Sequence, residues 1–500
     1  MRVQLLKIIL GCGLGSALVA AVPAEAGVVI STKPTANMSC SAGVCTATAA
    51  TAVLNVTDLE NLVRSGKVTV STGGATASDI VIASALTWAS ANSLTLDAYR
   101  SITVEGVVSA AGSGGLSILT NDGGTGGTLS FPLNGNIGFL GLTNALSING
   151  ASYKLEGNIA SMASDIAANS SGNYALAAAY NATPDGVYAT SPIETQFSGN
   201  FEGLGNSISH LQINDGTDIA VGLFAFIQGG HVSDLKVVNA RVTAGSSAQS
   251  VGILAGGLNG DVNDSAEGTN FGGTISGAVT SGIVQVTSAG QAAVGGVVGL
   301  ACNYGAKFPV ALVIDSQSSA DITANIGFAG GLIGDNCGGA AIETSFATGR
   351  VISGDGYAGG LVGFDIGLIS DSYAAGNAKT GAESENGFRP PNAAGGLVGV
   401  NSGNSVQYSY ATGTAMKGKR AYAGGFIGYG GGTDTDNYWD ITTSANTSPS
   451  GQPDENNLAT GLTTSQFQSG LPSGFSPTIW KEDQAINSGL PYLIDNPPPL

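Results

Sequence analysis

Two histidines, His210 and His231, are the only imidazoles in the chain. Each follows a turn in a strand-like segment, and neither is accompanied by a Ser or Cys nucleophile motif. A surface or corner role is therefore expected of them rather than catalysis. Carboxylates offer more. Asp215 with Asp218, Asp261 with Asp264, Asp365 with Asp371, and Asp434 with Asp436 are close pairs. Such pairs serve acid/base work or hold Ca²⁺. Asp also closes turns through its own side-chain hydrogen bonds, and turn chemistry is the expectation here, ahead of Ca²⁺ and well ahead of catalysis. A carboxylate-based lyase site would also need a base. The chain has 17 Lys and Arg in all, and the cluster Lys417, Lys419 and Arg420 reads as a solvated turn. No nucleophile elbow, phosphate loop, zinc spacing or His-Glu-x-x-His stretch occurs. Gly203-x-Gly205 lacks the helix that a dinucleotide site requires. No catalytic residue and no cofactor is assigned, with Ca²⁺ the one ion considered.

The elements that would position these groups are set by an internal repeat. Ala329-Gly330-Gly331-Leu332-Ile333-Gly334 recurs at Ala358–Gly363, Ala394–Gly399 and Ala423–Gly428, with Val294–Gly299 before it. The first glycines of the pairs are 35, 29, 36 and 29 residues apart. Weaker copies begin at Val221 and Val251. A second element alternates with the first: Thr344-Ser345-Phe346-Ala347-Thr348-Gly349, then Asp371–Gly376, then Tyr408–Gly413. The segments are short, β-prone and bounded by Gly, Asn, Asp or Ser, and helical periodicity is confined to stretches such as Asp58 to Val63. A period of about 30 residues with two or three strands fits one coil of a β-helix. Parallel strands of successive coils then stack about 4.8 Å apart. Glycines are expected at corners, where positive φ or close backbone approach is needed. Unequal spacing places loops of different length at one corner, Ala382 to Asn392 with Pro390 and Pro391 among them. An outward-facing series Phe346, Tyr373 and Tyr410 would make a sugar-binding strip, but their fixed register between Ala and Gly favours a packed ladder. Trp439 and Trp480 are expected to seal a cap.

The cysteines test this register. Cys302 lies six residues after Gly296 and Cys337 six after Gly331, so the two occupy one position in consecutive coils. Stacking brings their Cα atoms to about 5 Å, within disulfide range. Unrelated thiols would share register about one time in thirty at this period. Cys40 and Cys45 are close enough to close a small loop. An even count of four then suits an oxidising compartment.

The N-terminus agrees. Arg2 and Lys7 precede an apolar run from Leu5 to Val22, and Ala24-Glu25-Ala26 supplies a small-x-small site, so cleavage after Ala26 is expected. Cys12 after Gly11 offers a lipoprotein-type site, but Leu10 suits it poorly and the apolar run continues past it. No later stretch is long enough for a membrane helix. A net charge of −18 argues against nucleic acid and anionic membranes. With 43% hydrophobic residues the chain is not disordered, and at 500 residues it suits a solenoid whose core grows by stacking.

The Gly-Gly-Leu-Val-Gly and Ser-Tyr-Ala-Thr-Gly elements resemble the GLUG motif of large secreted bacterial proteins. Asn92 to Phe131, with Asn121-Asp122-Gly123-Gly124-Thr125-Gly126-Gly127, resembles rungs of filamentous-haemagglutinin-like adhesins. Tyr438-Trp439-Asp440 and Gly489-Leu490-Pro491-Tyr492-Leu493 are similar to the segments found C-terminal to such repeats. The resemblance spans roughly residues 90 to 500 and implies a β-helical surface or secreted protein, often an adhesin.

The expectation is thus an all-β, right-handed parallel β-helix. Residues 1–26 are a signal peptide, 27–150 an N-terminal cap and opening coils, 151–200 an irregular, partly helical bridge centred on Met162 to Tyr180, 201–430 the repeats and 431–500 a C-terminal cap and tail. Glycan or protein surfaces of a host or environment are the expected partners. The runner-up is a polysaccharide-active enzyme using the Asp pairs. Non-reducing peptide mapping should recover a Cys302–Cys337 pair of peptides, and finding either thiol free would break the proposed stacking.

Overall fold

The computed structural model describes residues 26–132, 134–258, 273–302, 311–382, 391–403, 405–452 and 458–499. The signal segment before Ala26, Cys12, Asp261, Asp264 and Pro390 lie outside the described residues. Gly27, the expected first residue after cleavage, opens the first strand, Gly27–Ser31.

The chain forms parallel β-helices, in which successive coils pair strand on strand. The N-terminal coils run through three faces. The first contains Asp79–Ile82 and Ile102–Val104, the second Leu86–Trp88 and Val107–Ala110, and the third Val68–Ser71, Leu94–Asp97, Leu116–Leu119 and Leu146–Ile148. The alternation legible in Ser93–Ala98 and Leu116–Thr120 is the inside/outside alternation of these strands: Leu94, Leu96, Leu116 and Ile118 point into the core, and Thr95 and Ser117 do not. The helix Val56–Ser65 covers the open end of this tube. Asn55 caps it by accepting from the Thr57 and Asp58 amides, and Leu59 and Val63 are buried against the coils.

At Asn149-Gly150 the chain reverses. Both residues have positive φ, 50° and 81°, as a tight hairpin requires. Strand Ala151–Glu156 therefore pairs antiparallel with Leu146–Ile148, and every later strand of that sheet runs the opposite way. Adjacent residues now serve different interiors: Leu155 and Ala175 belong to the N-terminal core, whereas Tyr174 and Leu176 belong to the C-terminal one. Two tubes thus lie on opposite faces of one continuous sheet. Reversed strand direction together with an exchanged core face amounts to a half-turn about the stacking axis, which preserves the hand of coiling. The 151–200 segment, expected to bridge irregularly, holds the start of the second tube. Its helix, Ile159–Ala168, plugs that tube with Ile159, Met162 and Ile166 as Val56–Ser65 plugs the first.

The second tube shows what each repeat element does. Ala-Gly-Gly-Leu-Val-Gly is an arch between two strands, such as Val351–Gly359 and Val362–Asp365. Its tip residue, Leu332, Leu361, Leu397 or Phe426, sits in the tube core. The two arms approach backbone to backbone. A Cβ on Gly359 would collide with the Val362 carbonyl, and one on Gly363 would stand 2.6 Å from the Gly334 carbonyl oxygen and 2.7 Å from the Ala329 nitrogen. These glycines serve close approach, not positive φ.

Positive φ falls at another corner, and there Gly is not the rule. Asp234, Asp315, Thr344, Asp371, Tyr408 and Asp436 all have φ between 44° and 52° in one stacked position, and Gly277 is the one glycine among them. Asp and Asn tolerate this region through local side-chain bonding. Glycine thus serves the arches by close approach, as expected, while at this corner mainly Asp and other residues supply the positive φ.

The residue after that corner is the fixed serine of the second element. The hydroxyls of Ser316, Ser345, Ser372 and Ser409 each donate to the carbonyl two residues back, at 2.7–2.8 Å. The hydroxyls of Ser345, Ser372 and Ser409 also accept from the backbone N–H of Ser316, Ser345 and Ser372 in the preceding coil, at 3.1–3.2 Å. Asn437 ends the series by accepting from the Ser409 N–H at 3.0 Å. All four serines are fully buried. Ser372→Ala should therefore lower stability by about 1–3 kcal/mol in urea unfolding, because it orphans the Ser345 N–H in a dry corner. An unchanged midpoint would show that the ladder carries no stability.

Candidate ligand-binding surface

Each candidate residue has a definite place in these coils. Cys302 and Cys337 are bonded across two coils with Cα atoms 4.9 Å apart, and Cys40 bonds Cys45 across the antiparallel hairpin Met38–Ser41 and Val44–Ala47. His210 and His231 are exposed. Asp215 accepts from the Thr217 and Asp218 amides at 2.9 Å each, as a turn residue does. Asp434 accepts from the Val406 amide at 3.1 Å, and Asp436 is a corner residue. Asp371 is another corner residue, and its carboxylate receives the Trp480 indole N–H at 2.9 Å. Asp365 points the other way, into the tube, so this pair does not converge. Among the described residues no group of three or more His, Cys, Asp or Glu side chains surrounds a metal-sized point. None of the described residues forms a helix long and apolar enough to cross a membrane.

Asp365 belongs to a polar ladder inside the tube. Asn336, Asp365 and Asn401 stack at one register position and are essentially inaccessible. The Asp365 carboxyl accepts from the Asn336 amide at 2.7 Å and from the Gly367 N–H at 3.2 Å, and its other oxygen has no partner. Burial pushes its pKa up to about 8. Glu202, packed where the two tubes meet, is raised to about 8 in the same way.

The aromatic series Phe346, Tyr373 and Tyr410 does form a ladder, extended by Tyr438. Rings stack at 4.6 Å between Phe346 and Tyr373 and at 4.9 Å between Tyr373 and Tyr410. The ladder lies outside the tube wall rather than in the tube core. The C-terminal tail covers it with Phe467, Phe475 and Trp480, and the Tyr410 hydroxyl donates to the Pro491 carbonyl at 2.6 Å. The tail continues along the wall to Asn496, whose amide donates to the Ser316 and Thr344 carbonyls. This strip is closed to ligands. Trp439 instead enters the end of the tube core.

A second aromatic row is partly buried. It flanks the glycine arches at positions seven apart: Phe328 and Asp335, Tyr357 and Phe364, Ala393 and Val400, Tyr422 and Tyr429. Each pair sits at the mouth of its arch while the tip is sunk in the core. Phe328 stacks on Tyr357 at 5.2 Å and on Phe364 at 5.1 Å, and Tyr422 meets Tyr429 at 5.1 Å. Tyr357 is buried, whereas Phe328, Phe364, Tyr422 and Tyr429 are half-buried. Lys417, read as part of a solvated cluster, stands 5.9 Å over the Tyr422 ring. The seven-residue spacing around each glycine motif was the available signal for this row, and reading the motif as purely structural passes over it.

A separate cleft of about 740 Å³ lies between the tubes, bordered by Asp79, Arg100, Asp234, Lys236, Asp315 and the tail at Asn496. The Arg100 guanidinium is already committed to Asp79, at 2.6 and 2.9 Å.

Architecture and surface together define the class: a disulfide-linked parallel β-helix with a partly open aromatic row on its wall. No known family's model matches the chain. Over 160 residues, 31% of its length, it is 34% identical to Halomucin from Haloquadratum walsbyi (strain DSM 16790 / HBSQ001). The match spans 2% of that protein's length. Among solved structures, a candidate immunoglobulin A1 protease from Bacteroides ovatus is similar at 20% identity, with 69% of this chain and 92% of that chain covered and a TM-score of 0.46.

The interior carboxyls make stability depend on pH. A carboxyl raised from the usual acid range to about 8 is protonated in the fold where the unfolded chain has already lost its proton. Its stabilisation is complete below about pH 4 and is lost as pH rises through about 8. Thermal melts should therefore show a lower Tm at pH 9 than at pH 5. Asp365→Asn, which stays neutral, should shrink that difference and melt above the parent at pH 9. A parent equally stable at both pH values would contradict an ionisable interior.

Proposed function

We propose that this chain is an exported, surface-acting interaction protein of the GLUG type, an adhesin that engages glycan or protein surfaces of a host or environment. The observation that carries the reading is the half-buried aromatic row on the wall of the second tube, while of the candidate carboxylates Asp215 closes a turn, Asp371 holds Trp480 and Asp365 points into the tube. A rigid solenoid wall presents many equivalent positions along its length, so contacts can be spread over it. Connections of unequal length, between Val298–Ala301 and Ala311–Ile314 and between Ala378–Thr380 and Ala393–Gly395, fall at different points of the coil and can vary the contact without disturbing it. Disulfides Cys40–Cys45 and Cys302–Cys337 suit a protein that matures in an oxidising compartment, and the partial likeness to Halomucin points the same way.

The test uses the mature chain, residues 27–500, presented to neutral and acidic polysaccharides and to host-type surface proteins, with and without Ca²⁺. Binding and polymer chain length are scored together. Saturable binding with no change in chain length is the expected result. Depolymerisation would replace the adhesin by a polysaccharide-active enzyme and redirect attention to the Asp pairs. Binding that appears only with Ca²⁺ would place an ion in the contact. An absence of binding to every surface would sink the reading.

A further inference from the structure

Where the first tube ends, two of its three faces are covered. On the second face the Ile137 and Phe139 amides of the last strand, Asn136–Phe139, donate to the Leu204 and Ala177 carbonyls of the second tube at 2.9 and 2.7 Å. On the third face Leu146–Ile148 pairs with Ala151–Glu156. The first face ends differently. Its last strand, Leu129–Ser130, pairs with Ile102–Val104 on one side, and among the described residues no strand pairs with its other side. The Ile102 amide donates to the Thr128 carbonyl at 2.9 Å, so the alternation of a parallel ladder turns the Leu129 N–H and C=O the other way. On that side lies the cleft of about 740 Å³ between the tubes, with Thr128, Leu129 and Ser130 in its wall. An open sheet edge is a template for a further strand. The chain's own tail does not supply one. It reaches the cleft with Pro497, Pro498 and Pro499, and proline has no amide hydrogen to give to the Leu129 carbonyl.

We infer that this cleft receives an extended, basic peptide segment of a partner protein, which adds a strand to Leu129–Ser130 and carries Lys or Arg side chains toward Asp234, Asp315 and Asp495. The inference rests on the adhesin reading and narrows it to a protein partner. The open edge calls for N–H and C=O groups at strand spacing, which a peptide has and a polysaccharide lacks. Charge selects the side chains. The described residues bordering the cleft include four carboxylates, Asp79, Asp234, Asp315 and Asp495, and two cations, Arg100 and Lys236. Arg100 is committed to Asp79. Asp315 accepts from the Thr344 hydroxyl at 2.6 Å, whereas among the described residues the Asp234 carboxyl has no hydrogen-bond partner. Burial, and then the charges of Glu202 and Asp315, push Asp234 well above the usual carboxylate range, against the opposing pull of Lys236. Burial also raises Asp315, with Asp495 and Glu343 adding to the push and the Thr344 hydroxyl resisting it. A cation entering among these groups relieves their repulsion, and an acidic segment would add to it. The net charge of −18 draws a basic partner from a distance.

Calorimetry of the mature chain, residues 27–500, would test this with capped synthetic peptides: alternating Lys and Val, alternating Glu and Val, and two N-methylated forms of the Lys-Val peptide, one methylated on every Lys amide and the other on every Val amide. The Lys-Val peptide should bind saturably at one site, and the Glu-Val peptide about tenfold more weakly or not at all. Successive residues of a strand direct their amides to opposite edges. One N-methylated form should therefore lose binding, and the other should keep it. Asp234→Asn combined with Asp315→Asn preserves the left-handed corner, which Asn tolerates. This double variant should bind the Lys-Val peptide about tenfold more weakly while melting no lower than the parent. Equal binding of the Lys-Val and Glu-Val peptides, retention of binding by both N-methylated forms, or an unchanged affinity in the double variant would each overturn the inference. Absence of peptide binding alongside binding to polysaccharides would overturn it too and leave the adhesin standing with a glycan ligand. Peptide binding that meets all three criteria, alongside failure on every natural surface, would keep the cleft and remove the adhesin.

Discussion

Backbone must meet backbone at every glycine arch, and the rest of the second tube is arranged around that contact. Gly359 leaves no room for a Cβ within the arch, and Gly363 leaves none against the backbone of the preceding coil. Only because the arms close can the tip residue, Leu361, reach the tube core while Tyr357 and Phe364 stay at the mouth. A larger residue in the seam would push the arms apart, pull the leucine from the core and separate the aromatic pair in one movement. Stability and surface chemistry thus depend on one short-range steric fact, repeated coil after coil.

Relations between the two tubes obey a different constraint. A parallel coil always leaves an open end with unpaired strand edges and exposed core, which must be covered. Each tube meets the requirement at its start with a ten-residue helix, Val56–Ser65 for the first and Ile159–Ala168 for the second. The hairpin at Asn149-Gly150 lets the second tube begin on the opposite face of a sheet the first has already built. The last coil is closed by Trp439 in the core, and the tail then returns along the outside wall to cover the Phe346–Tyr438 ladder. A surface that would otherwise be a long aromatic stripe is removed from solvent by the chain's own end.

Much of this was legible in the residues. Register was fixed by the glycine motifs, and the stacking of Cys302 on Cys337 came from counting six positions beyond a glycine. Signals that act through period and spacing survive in a single sequence because a solenoid makes them local. The half-turn between tubes was not legible, since nothing in Asn149-Gly150 distinguishes a hairpin that starts a new tube from one that merely decorates a coil. The corner chemistry was only half visible. Asp371 and Asp436 suggested turns, but their left-handed φ is shared by Thr344 and Tyr408, residues that do not advertise it. Each of those two is spanned by the following serine, whose hydroxyl donates to the carbonyl two residues back and accepts from the preceding coil. The tail's cover over Tyr373 and Tyr410 joins Tyr410 to Phe467 and Pro491 and Tyr373 to Trp480, pairs far apart in the chain, and leaves no periodic trace.

The aromatic row shows why function is harder to read than fold in such a chain. Along each wall strand, side chains alternate between the core and the outside. Inward positions must satisfy the neighbours above and below, and so the repeat keeps Ala, Leu and Val there. The flanking positions satisfy no such demand, and within one chain they read Phe and Asp, Tyr and Phe, Ala and Val, Tyr and Tyr. That freedom makes the row look like noise around a structural motif. It is also what a contact surface requires, because side chains there can change with the ligand while the arch behind them stays closed. The same separation explains how a tube with an unfavourable polar ladder at Asn336, Asp365 and Asn401 persists. The interior cost is carried by the stacked coils as a whole, and the outer wall remains free to vary in sequence.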